Sequence, residues 1–158
     1  MISIPQRLLG EALLITEKKF PDKTAVIVKG VEYTYSQLKD SAEKLACHLV
    51  QSGIKKGDRV AIYMNNSWQS IVSVYGTTLA GAVFLMINPQ TKGNKLQYIL
   101  NDSDSRVLIA EKVLKNEIAI ALENSENIFE VIISGDKEPI EIPNNAKLEN
   151  FDEILNSK

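Results

Sequence analysis

The two side chains that most often build metal and redox sites are almost missing here. Of 158 residues, one is cysteine, Cys47, and one is histidine, His48. A single cysteine excludes an internal disulfide framework and suits a reducing compartment. One cysteine with one histidine also falls short of the usual zinc ligand set. Adjacent residues on a helix point about 100° apart, so these two do not form a working pair unaided. His48 is read as a solvated helix residue and Cys47 as a small packing residue. Charge of one sign is scarce as well. Against 18 Lys and Arg stand 20 Asp and Glu, a formal net charge of −2. That gives no basic field for nucleic acid. Apolar runs stay far short of a membrane span. Glu11 and Glu17 interrupt the N-terminal stretch MISIPQRLLGEALLITEKKF, where a secretion signal needs an unbroken core. The expectation is a cytoplasmic chain without a transmembrane segment.

Familiar catalytic fingerprints are missing too. There is no G-x-G-x-x-G, so a dinucleotide fold lacks its signature. No serine sits in a G-x-S-x-G elbow. Gly76 and Gly81 stand at phosphate-loop spacing, but Ala82 and Val83 follow where Lys and Ser/Thr should be. They are read as small residues that let helix and sheet pack closely. Thr91-Lys92-Gly93 has the look of a phosphate-loop end, yet no glycine-rich run precedes it, so it is read as a turn before a helix. Asp102 with Asp104, and Glu123 with Glu126, are read as solvated acids. Internal repeats and low-complexity segments are absent.

What remains is a soluble, globular composition, 44% hydrophobic and 24% charged, in a chain long enough for one real core. Its organising stretch is residues 57–90, GDRVAIYMNNSWQSIVSVYGTTLAGAVFLMINPQ. Residues 59–64 (RVAIYM) and 83–87 (VFLMI) are short runs that do not alternate in polarity, as strands covered on both faces do. Between them Asn65, Asn66 and Ser67 are helix-capping types, with Asn66 and Gln69 at capping-box spacing. Ile71, Val74, Tyr75, Thr78, Leu79 and Ala82 then recur at helical spacing. This is a parallel βαβ unit.

Upstream, residues 5–19 read as an amphipathic helix with Pro5 at an early position, and 24–35 as a hairpin turning at Lys29-Gly30. Thr34 and Gln37 form a capping box for a helix that Gly53 ends. Downstream follow a helix opened by Thr91 or Asn94, a strand at 106–110, a helix at 113–122 and a strand at 129–133. Residues 134–146 read as a loop and 148–155 as a short closing helix. The fold class is α/β, a mainly parallel doubly wound sheet with an N-terminal helix and hairpin. One unit is expected, comprising helix and hairpin (1–35), βα units (36–133) and a closing segment (134–158). Ligands in open sheets bind beyond the carboxyl ends of the strands. Asn65, Asn66 and Trp68 lie there and are the candidate neighbours of a substrate groove. For Trp68 the favoured reading is a staple that packs the helix start, and Asn65 and Asn66 share the ambiguity.

The order of several short motifs resembles a known family. T-Y-x-x-L at Thr34 to Leu38, G-D-R-V-A at Gly57 to Ala61, L-A-G-A-V…I-N-P at Leu79 to Pro89, Y-I-L-N-D-S at Tyr98 to Ser103 and R-V-L-I from Arg106 are similar in order and spacing to the start of the adenylate-forming (AMP-binding) enzymes. That family includes acyl-CoA synthetases, luciferases and peptide-synthetase adenylation domains. Asn88-Pro89 leans toward the acyl-CoA synthetase branch.

The resemblance implies ATP-dependent activation of a fatty or other apolar carboxylic acid through an acyl-adenylate, then transfer to coenzyme A, with magnesium. It also implies that the Ser/Thr/Gly-rich phosphate loop and the later catalytic lysine belong beyond Lys158. No catalytic, cofactor-binding or metal residue is therefore carried over, and the chain is expected to be an N-terminal piece that is inactive alone. Such a piece should expose an apolar face and self-associate. Two other readings remain: an amino-acid-activating adenylation piece, and a non-enzymatic flavodoxin-like binding or interaction module.

Overall fold

A computed structural model of the protein describes residues 8–136 and 140–157. The chain opens with α1 (Leu9–Lys19), followed by the hairpin β1 (Thr24–Val28) and β2 (Val31–Thr34). The position expected for Pro5 lies outside the described residues. At the hairpin turn both Lys29 and Gly30 have positive φ, 50° and 83°. That left-handed pair matches the twist of the two strands. The Thr34 capping box then opens α2 (Tyr35–Ser52): Gln37 N donates to Thr34 Oγ1 at 3.2 Å, and Thr34 N donates to Gln37 Oε1 at 2.8 Å. Gly53, at φ 110°, ends it in the left-handed conformation.

The βαβ unit is β3 (Arg59–Tyr63), α3 (Trp68–Leu79) and β4 (Val83–Ile87). Its capping box lies one residue later than the sequence spacing suggests. Ser67 and Ser70 exchange both bonds, Ser70 N to Ser67 Oγ at 3.1 Å and Ser67 N to Ser70 Oγ at 3.0 Å. Ser67 is the residue with extended backbone before the first helical turn, which is what an N-cap requires. The buried stripe of α3 also differs. Its fully buried residues are Val72, Ser73, Gly76 and Thr77, while Ile71, Val74, Tyr75 and Leu79 are half-buried. The reason is α2. A Cβ on Gly76 would stand 2.8 Å from Leu45, so the small residues of α3 allow two helices to approach, where helix-on-sheet packing was expected.

After β4 come α4 (Gly93–Asp102), β5 (Ser105–Glu111), a 3₁₀ turn (Lys112–Leu114), α5 (Lys115–Leu122) and β6 (Glu130–Ser134). A further strand, β7 (Lys147–Asn150), and α6 (Phe151–Asn156) close the chain. The sheet runs β4-β3-β5-β6-β7 and is parallel throughout. β7 corrects the expected closing helix: the helix starts three residues later, and Lys147–Asn150 pairs with β6 as an edge strand. Side chains alternate between two cores. Val60, Ile62, Val107, Ile109 and Ile132 face the core shared with α2 and α3, whereas Ala61, Tyr63, Leu108, Ala110, Val131 and Ile133 face the one shared with α4 and α5. β3 is covered on both faces as expected. β4 is not: it is the sheet's other edge, leaving Val83 50% and Met86 45% exposed.

Candidate functional site at the carboxyl edge of the sheet

β3 is the first strand of the sheet, with β4 on one side and β5 on the other. The crossover after β3 leads outward to β4 and the one after β5 leads the other way to β6, and open α/β sheets hold ligands at such a switch point, beyond the carboxyl ends of the strands. Two shallow depressions lie along that edge. One, of about 390 Å³, is lined by Met64, Asn65, Asn66, Met86, Asn88 and Pro89 among others. The second, of about 500 Å³, lies over the ends of β5 and β6, between Glu111, Lys112, Lys115 and Ser134 to Asp136.

Between them one side chain bridges the switch point. Glu111 Oε2, at the end of β5, accepts from Asn65 Nδ2 at 2.7 Å and from Asn65 N at 3.2 Å. Asn65 is thereby fixed by its neighbour strand, and Asn66 is exposed over the first depression. Trp68 stands apart from both depressions. Its ring stacks on Tyr33 of the hairpin, with centroids 4.0 Å apart and planes 9° from parallel. It therefore ties β2 to the start of α3.

The loop carrying Asn88-Pro89 is held from below. Tyr63 Oη lies 2.7 Å from the Thr91 carbonyl and 3.2 Å from that of Pro89. Burial pushes the Tyr63 phenol above its ordinary range, and the nearby Glu117 charge adds to this. The hydroxyl thus keeps its proton for donation.

The next turn is capped from another helix. Neither Thr91 nor Asn94 caps α4. Gly93 N donates to Glu117 Oε2 of α5 at 2.6 Å, and Lys92 Nζ lies 3.2 Å from Glu117 Oε1. The Gly93 bond, then Lys92, hold the Glu117 carboxyl below the usual carboxylate range. A helix N-terminus is a natural place for a phosphate. Here a carboxylate already occupies it, which removes the faint phosphate-loop likeness of Thr91-Lys92-Gly93. Gly93 is required for the contact, because a Cβ there would lie 2.6 Å from Ile120.

At the opposite, amino-terminal end, Arg59 clasps the turn before β5. Its Nε donates to the Ser103 carbonyl at 2.7 Å, and its Nη2 reaches Asp104 O and Oδ2 at 2.9 and 2.6 Å. The arginine of the G-D-R motif is therefore a structural tie.

His48 and Cys47 also differ from expectation. His48 is half-buried, and its Nε2 lies 2.9 Å from Oε1 of Glu130, which is fully buried in β6. It faces the sheet because α2 packs over β6. Cys47 is exposed. The signal for the first was Glu130 itself, an acid inside the apolar run FEVII. Glu111 and Glu117 gave no comparable signal, since each reads as a charged residue beside a helix.

Among the described residues, no three His, Cys, Asp or Glu side chains are placed to hold a metal ion. No helix among them is long and apolar enough to cross a membrane.

Comparison with known proteins is consistent along the whole fold. The "Long-chain-fatty-acid--CoA ligase" of Bacillus subtilis is 31% identical over 144 residues, which cover 91% of this chain and 26% of that protein. The "Medium/long-chain-fatty-acid--CoA/3-oxocholest-4-en-26-oate--CoA ligase" of Mycobacterium marinum is 30% identical over 116 residues, 73% of this chain and 21% of that protein. The solved fatty acyl CoA synthetase of Mycobacterium tuberculosis superposes with a TM-score of 0.75 at 28% identity, over 95% of this chain and 28% of that one. The chain thus spans between a fifth and about a quarter of the curated relatives it matches. The family model of the AMP-binding enzymes matches residues 15–155, from α1 through β7 and into α6, and the chain belongs to that family.

Proposed function

We propose that this chain is the N-terminal subdomain of an AMP-forming acyl-CoA synthetase whose substrate is a fatty or other apolar carboxylic acid. The observation that carries the reading is the match to fatty-acid–CoA ligases over nearly all of this chain but a quarter of theirs. In the whole enzyme a carboxylate oxygen attacks the α-phosphorus of ATP and the bond to pyrophosphate breaks. The coenzyme A thiol, giving up its proton, then attacks the acyl carbon and AMP departs. ATP, magnesium and coenzyme A serve that enzyme; the 158-residue chain supplies the sheet edge beside which they would act, with Asn65 and Asn66 on the edge and Trp68 behind it. Cytoplasmic residence belongs to the same reading, as do the three segments 1–35, 36–133 and 134–158.

The test is carboxylate-dependent ATP–pyrophosphate exchange by the natural gene product across fatty acids, aromatic acids and amino acids. Exchange driven by fatty acids is expected. Exchange driven by amino acids, or by no acid, overturns the reading.

Self-association follows from the same reading. β4 is wholly apolar and, among the described residues, is an edge strand of the sheet, with none of the charges or prolines that usually protect one. Sedimentation of the 158-residue chain at high concentration is expected to show dimers or larger species, and a Met86→Lys variant to reduce them. A strictly monomeric profile contradicts this.

A further inference from the structure

A groove of about 810 Å³ runs between α2, β7 and α6. It lies by the amino-terminal ends of β6 and β7, away from the carboxyl edge. Its walls carry four carboxylates, Asp40 and Glu43 on α2, Glu149 on β7 and Glu153 on α6, against two ammonium groups, Lys44 and Lys147. Lys44 Nζ donates to the Leu155 carbonyl at 2.6 Å. Asp40 and Glu43 share Lys39 at 3.5 and 3.1 Å. An acidic wall of this kind is by itself ordinary solvated surface.

Glu130 makes it more than that. It is fully buried at the first position of β6, between His48 and its register partner Lys147, both of which line the groove. One of its oxygens meets His48 Nε2; the other, Oε2, has no hydrogen-bond partner. Native proteins rarely leave a buried carboxylate oxygen unpaired, and such a group calls for something to complete it. The neighbouring ammonium, that of Lys147, is engaged by a different carboxylate. It lies 2.5 Å from Glu149 Oε1, and Glu149 first, with Glu130 adding, holds its pKa above the ordinary lysine value. A metal ion fits less well, because no three ligating side chains converge among the described residues.

We propose that the groove between α2, β7 and α6 binds a linear aliphatic amine, one ammonium completing Glu130 beside His48 and others spaced along the carboxylates of α2 and β7. Glu130 is fully buried beneath the groove wall, so entry requires Lys147, its register partner on the edge strand, to move aside. The amine belongs either to a free polyamine or to lysine side chains of a peptide. The proposal is independent of the carboxyl edge and of the ligase reading.

Isothermal titration of the 158-residue chain with spermidine and, separately, with trilysine tests it. Saturable binding is expected, weakened about tenfold or more by Glu130→Gln, with the amide resonances of His48 and Lys147 shifting on titration. Tighter binding of trilysine assigns the site to a peptide, and tighter binding of spermidine to a free amine. Should Glu130→Gln fail to fold by circular dichroism, Glu149→Gln on the edge strand gives the same readout. Absence of saturable binding by either probe, or binding that neither substitution weakens, overturns the proposal.

Discussion

Replacing His48 by alanine is expected to destabilise the protein by about 3 kcal/mol or more, while replacing Glu130 by methionine is expected to leave stability nearly unchanged or higher. The asymmetry comes from burial. The Glu130 side chain has no solvent exposure, and His48, itself 20% exposed, supplies the hydrogen bond at 2.9 Å. Removing His48 strands a carboxylate in the core, with both oxygens then lacking a partner. Removing Glu130 removes the expensive group itself. Methionine fills a similar volume on the α2 face of the sheet, the face of Ile132, and His48 can turn its ring toward water. The double variant should recover most of the loss seen in His48→Ala. Urea unfolding of the four proteins measures the cycle. Equal destabilisation by the two single variants would show that the pair stabilises the fold outright. That result would also weaken the case that Glu130 is kept for the groove it borders.

The backbone of this architecture was legible because several local signals agreed. Residues 57–90 carry two short apolar runs, a cap cluster and a helical period, and the structure places β3, α3 and β4 there. What went unread was long-range. α3 buries Ser73, Gly76 and Thr77 because Leu45 of α2 lies over them, and no pattern within α3 shows that neighbour. β7 is KLEN, four mostly polar residues whose only reason to be extended is the free edge of β6. Glu117 caps α4 from twenty-four residues away, so no capping box announces it. At the site, Asn65 and Asn66 could be placed at the carboxyl edge from the βαβ reading alone. Trp68 was placed at the start of α3 as well, but its partner Tyr33 lies in a hairpin outside the sheet and no pattern announces it.

The second large effect is a complete one: the 158-residue polypeptide should not activate a carboxylic acid. Adenylate formation needs charges positioned around the triphosphate and the pentavalent phosphorus, and such preorganisation supplies most of an enzyme's advantage, on the order of a million-fold or more. Along the carboxyl edge several of the charged groups are already engaged. Glu117 fills the start of α4, Glu111 holds Asn65, and Lys112 pairs with Asp136. The sequence also contains no Ser/Thr/Gly-rich loop to wrap a phosphate. The direct measurement is exchange of labelled pyrophosphate into ATP by residues 1–158 with magnesium and a long-chain fatty acid. Label incorporation indistinguishable from an enzyme-free blank is the expected result. Acid-dependent exchange by this polypeptide would contradict the view that its sheet is one layer of a larger catalytic body.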